Sequence, residues 1–147
     1  MRISEERQSE IDFDWYAVDV DGLIGVFSTD CTKLPESVAC NERDYANLHH
    51  FFRGFVRGMA EGLIVLDTKD LSENIRSWAE SPVHWNNFGF YVFDKDDSES
   101  SYEKESIPKV PLKLDLLPKE IRDIISRTRI PVSFKNCEKV DISIGSS

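Results

Sequence analysis

Cysteine is scarce in this chain, basic residues are outnumbered, and long apolar runs are missing; each shortage closes a class of answers. The three thiols, Cys31, Cys40 and Cys137, are odd in number and widely spaced, with neither a Cys-x-x-Cys pair nor a histidine at zinc-finger spacing. That pattern argues against a disulfide framework or a structural zinc site and for a reducing compartment. The apolar runs fall far short of the roughly 20 residues that span a bilayer, and the first residues show no basic head followed by an apolar stretch. A cytoplasmic protein with no membrane partner is the expectation. Eighteen basic residues face 27 acidic ones, giving a formal charge of −9. Such an excess repels a phosphate backbone, so the expected partner is a basic protein and not nucleic acid. The imbalance is uneven: residues 1–40 carry nine acids against three bases and 81–106 six against two, whereas 107–147 reverse to five against eight. Whether that basic block makes its own contact, and whether the chain self-associates, are left open by composition.

What is present fits one domain, since 147 residues at 40% apolar content supply a single core. No repeat or dividing linker occurs. Two runs rich in aromatic and β-branched residues, 13–19 and 23–28, flank Asp21-Gly22 and predict a β-hairpin with a tight primed turn. The stretch 29–41 reads as a loop. From Asn41, the three- and four-residue spacing of Tyr45, Leu48, Phe52, Phe55, Val56 and Met59 predicts a helix, with Asn41 and Asp44 at capping distance. Gly54, Gly58 and Gly62 on one stripe predict a close approach by another element. A second helix is expected over 70–79, then a Trp85-Asn86-Asn87 loop, an aromatic strand over 88–93, and an exposed polar hairpin loop over 94–101. Pro108 and Pro111 make 107–114 an edge strand or strap, Pro118 opens a third helix that runs to Pro131, and 132–134 and 140–144 alternate like terminal strands. The order predicts an α+β fold, a largely antiparallel sheet with about three helices packed against it.

No constellation demands chemistry. Asp19-Val20-Asp21-Gly22 resembles the first motif of haloacid-dehalogenase-type phosphatases, which would make Asp19 and Asp21 the working pair of a magnesium-dependent phosphatase. Leu23 stands where that family has threonine, and a return strand follows where it needs a helical layer. A calcium loop lacks the evenly spaced oxygens and closing glutamate of an EF-hand. His49 and His50 are adjacent on a helix, about 100° apart, and cannot together grip one metal. No catalytic residue, metal or cofactor is therefore expected. The distinctive feature is acids beside aromatics: Asp14, Asp19 and Asp21 around Trp15, and Asp94, Asp96, Asp97 and Glu99 around Tyr102, with Trp85 as a further anchor. Acidic rims steer basic partners and aromatic anchors supply contact energy, so these ten residues form the expected partner-binding face.

The segment 11–19, the strand Gly89-Phe90-Tyr91-Val92-Phe93-Asp94, and the tail from Pro111 to Pro118 and on to Arg129-Ile130-Pro131 resemble small uncharacterised bacterial proteins, some of them similar to immunity proteins of polymorphic toxin systems. The resemblance implies a non-enzymatic neutraliser that occludes the active site of a toxin domain. A structural or regulatory module without a toxin target shares the same composition.

Overall fold

The computed structural model describes residues 1–60, 85–96 and 101–142, with side chains to 55 in the first stretch. Five strands form one sheet in the order β1-β2-β3-β4-β5: β1 Asp14–Val18, β2 Ile24–Ser28, β3 Tyr91–Lys95, β4 Ser101–Ser106 and β5 Lys139–Asp141. Every pairing is antiparallel except β2 with β3. Four helices accompany the sheet among the described residues: α1 Glu5–Glu10, α2 Glu36–Ala39, α3 Glu42–Ala60 and α4 Lys119–Ile125. The α+β architecture with a largely antiparallel sheet is as the sequence predicts.

The first hairpin forms, but not through a two-residue primed turn. Asp19 N–H donates to Leu23 O at 3.0 Å and Gly22 N–H to Asp19 O at 3.3 Å, so Val20, Asp21 and Gly22 make a three-residue loop. Only Gly22 takes a left-handed φ, +79°. That is the geometry of a type I turn closed by a bulge glycine, where one residue rather than two must tolerate positive φ.

Both faces of the hairpin are covered. On one, Tyr16, Val18, Ile24 and Val26 pack under Leu48 and Phe52 of α3, Ile121 and Ile125 of α4, and Trp85 and Phe90. On the other, Trp15 stacks on Phe27 at 4.3 Å and Phe27 on Phe93 at 4.6 Å, with Tyr102 edge-on. Phe134 closes this second face by lying against Gly25, where a Cβ would come within 2.8 Å of its ring.

α3 begins where its cap directs: Asp44 N–H donates to Asn41 Oδ1 at 3.1 Å, and Asn41 Nδ2 donates back to Asp44 Oδ2 at 3.1 Å. Several expectations need correction. Gly54 meets nothing within 4 Å and gives no close approach. The 29–41 loop contains α2, Trp85–Phe88 is a 3-10 turn, and α1 and β4 have no counterpart in the sequence reading. Pro118 is the N-cap of α4 rather than a residue of its first turn, and the helix ends at Ile125, well before Pro131. Residues 132–134 form no strand; Cys137 N–H bonds back to Ser133 O at 2.9 Å. The strap is present: Leu112 N–H donates to Gly89 O and Leu114 N–H to Gly22 O, both at 2.8 Å. The helix predicted over 70–79, Gly58, Gly62, Val56, Met59 and Ile144 lie outside the described residues or side chains.

Candidate functional site

Strand register gathers a carboxylate row at one end of the sheet. Asp14 pairs with Ser28, and Ser28 with Asp94, so the three lie side by side across β1, β2 and β3. Side chains directly opposite in a sheet share a face, which puts all three on the side covered by α3. Ser28 Oγ donates to Asp14 Oδ1 at 2.9 Å. Just beyond, Asp12 Oδ1 accepts the Asp30 N–H at 2.8 Å. Asp30 and Cys31 follow with left-handed φ of 51° and 60°, turning the chain away from β2. Among the described residues, none of Asp12, Asp14, Asp30 and Asp94 has a lysine or arginine ion-pair partner.

The electrostatics follow from that crowding. Burial raises the Asp14 carboxyl above the ordinary range, with Ser28 opposing the shift and Asp12 adding to it. Asp94 is raised first by desolvation and then by Asp12 and Asp14. The folded state thus holds protons more tightly here than the unfolded chain does. The stability contribution is fully present below the ordinary aspartate pKa and is lost as pH rises through the raised folded value. At pH 7, Asp94→Asn is expected to stabilise the protein, by no more than about 0.5 kcal/mol once screening at this exposed position is allowed for. The gain should vanish as the solution is acidified toward pH 4, near the ordinary aspartate value; urea titrations at the two pH values check it. An Asp94→Asn protein less stable than wild type at pH 7 would contradict the repulsion.

Behind the row, α3 contributes a second set of groups. Tyr45 OH donates to the Asp14 carbonyl at 2.6 Å, which satisfies the outer edge of β1. His49, one turn on, lies nearly parallel to the Tyr45 ring at 5.7 Å. Its Nδ1 is 2.7 Å from the Tyr16 hydroxyl. Tyr16 is buried and, among the described residues, its hydroxyl meets no other acceptor, so it donates to Nδ1; desolvation pushes the phenol well above its ordinary value. Burial lowers the His49 pKa, with Asp14 opposing. The neutral ring then carries its proton on Nε2.

Only part of the face expected from sequence assembles. Asp14 and Asp94 stand in the row, and Asp21 is exposed at the opposite end of the hairpin. Asp96 is half-buried and paired with Lys139 at 3.6 Å. Asp97 and Glu99 lie outside the described residues. Trp15 and Tyr102 are fully buried, bonded to one another through indole N–H and hydroxyl at 3.3 Å, and Trp85 is also buried. These three aromatics are core, not surface anchors, because both faces of the sheet are covered. Asp19 is corrected likewise. At 1% exposure it is interior; Oδ1 accepts the N–H groups of Asp21 and Leu23, each at 2.9 Å, and Oδ2 accepts the Phe134 N–H at 2.7 Å. It locks the turn to the 131–137 segment, and a strand follows it where the phosphatase motif needs a helix. Ser28, Asp30, Tyr45 and His49 went unassigned in the sequence. The i, i+4 spacing of Tyr45 and His49 was the available signal.

Among the described residues, no group of three or more His, Cys, Asp or Glu is placed to hold a metal ion, and no helix is long and apolar enough to cross a membrane. No protein-family model, curated protein or solved structure matches the chain.

Proposed function

We propose that this protein is a non-enzymatic binding module whose carboxylate row receives basic side chains of a protein partner, in the manner of an immunity protein that occludes a basic toxin domain. The observation that supports this reading is the row itself: Asp14 and Asp94 side by side with Ser28, flanked by Asp12 and Asp30, repelling one another without a lysine or arginine partner among the described residues. A lysine or arginine set against them would relieve that repulsion on binding. The same charges would attract a basic partner from a distance and speed its association.

The partner is sought by capture from the native lysate on immobilised wild-type protein at low and high salt, in parallel with an Asp12→Lys/Asp94→Lys variant. Both positions are exposed, so the reversal leaves the core intact. A basic protein retained by wild type at low salt and lost from the variant is the expected result. The association rate of the purified pair should fall about tenfold or more on charge reversal, and its salt dependence should weaken. A partner held equally by both proteins would place the contact elsewhere.

A further inference from the structure

Between α3 and the N-terminal segment runs a groove of about 400 Å³ that the carboxylate row does not use. Its floor is apolar, formed by the edge of Phe13 and the half-buried Tyr45 ring, with Ile3 fully enclosed beneath them. Its rim is the run His49, His50 and Arg53 on α3. Arg7 and Glu42, also at the rim, neutralise each other as an ion pair. Arg53 is exposed and has no carboxylate partner among the described residues. In a chain of charge −9, this is a hollow whose uncompensated formal charge is cationic.

His49 makes the groove more than a hydrophobic surface. Its Nδ1 is turned inward to the Tyr16 hydroxyl, so the Nε2–H lies on the other side of a ring fixed against Tyr45. Arg53 follows four residues later, one helical turn along the same face. A fixed neutral donor and a guanidinium over an apolar floor are complementary to one chemistry. We propose that the groove binds a small organic carboxylate with an apolar body, its oxygens accepting from His49 Nε2–H and Arg53 and its body resting on Phe13 and the Tyr45 ring. Asp14, beyond His49, opposes the ligand's charge, which sets the affinity in the millimolar range typical of a small open site. The groove shares no lining residue with the carboxylate row, so the proposal does not rest on the partner contact.

The test is a titration of the full-length protein with 3-phenylpropionate, followed by the imidazole nitrogen resonances, with the His49 signal identified as the one retained in both His50→Gln and His84→Gln. A saturable shift of the His49 signal is expected. It should be about tenfold weaker with the neutral 3-phenylpropionamide and in Arg53→Gln, as loss of a charged hydrogen bond requires. Ala46→Trp, an exposed groove position, should abolish the shift while leaving thermal unfolding unchanged. Absence of saturation, an equal response to the amide, or a response that survives both substitutions would overturn the proposal; the last would mean the ligand sits elsewhere.

Discussion

Asp19→Ala is expected to destabilise the protein by about 3–5 kcal/mol, among the larger effects a single surface-like residue type can produce. The reason is the number of donors that lose their acceptor together. The N–H groups of Asp21 and Leu23 hold the hairpin loop, and that of Phe134 holds the segment that plugs the second face of the sheet. With the carboxylate gone, the buried Leu23 and Phe134 amides have no acceptor, and each carries a desolvation cost of about 1–3 kcal/mol, while the exposed Asp21 N–H turns to water. Asp19→Asn separates the two functions of the side chain. Its oxygen can still serve the turn, but its amide nitrogen faces the Phe134 N–H donor to donor, so about half the loss should remain. Asp21→Ala, two residues on and exposed, should change stability by less than about 0.5 kcal/mol. Urea unfolding of the three variants decides the matter. An Asp19→Ala protein as stable as Asp21→Ala would mean that the three bonds contribute nothing net.

Phe27→Ala should cost about 3–5 kcal/mol, the range for emptying a buried aromatic position. Phe27 has no exposed surface and is the middle of a stack, with Trp15 at 4.3 Å on one side and Phe93 at 4.6 Å on the other, and with Tyr102 and Phe134 edge-on. Four rings lose a neighbour together, and a sheet with both faces covered has little freedom to collapse into the hole. Phe27→Leu keeps most of the apolar volume and loses the ring contacts, so about 1.5 kcal/mol is expected. The near-ultraviolet signal of Trp15 should change in both variants. A loss under about 1 kcal/mol in Phe27→Ala would show that the core refills and that the stack is not what fixes it.

How far the sequence carries depends on the range of the interaction. The hairpin and the start of α3 are written locally: Asp21-Gly22 between apolar runs, and Asn41 three residues before Asp44. Long-range effects are not. In 15–18, four apolar residues are consecutive rather than alternating, the mark of a strand buried on both faces. The neighbouring acids suggest surface anchors at Trp15 and Tyr102, although the two side chains touch each other in the core. Asp19 looked like a surface acid because one of its acceptor bonds reaches Phe134, far along the chain. α1 and α2 are too short to show a period, and β4 has one fully buried residue, Tyr102, in a polar run. The carboxylate row is half visible in the sequence: Asp14 and Asp94 stand out as acids near aromatics, but their alignment across Ser28 needs the parallel pairing of β2 with β3, which local pattern cannot supply.

That pairing also governs how the protein is made. β1 and β2 leave the ribosome together, but β3, the strand that covers the open side of β2, follows only after the whole of 29–90 has been translated. At ordinary rates of synthesis the delay is several seconds. Through that interval the nascent hairpin presents an unpaired edge and one face of the Phe27 ring without Phe93, the kind of surface that chaperones cover and that other nascent chains adhere to.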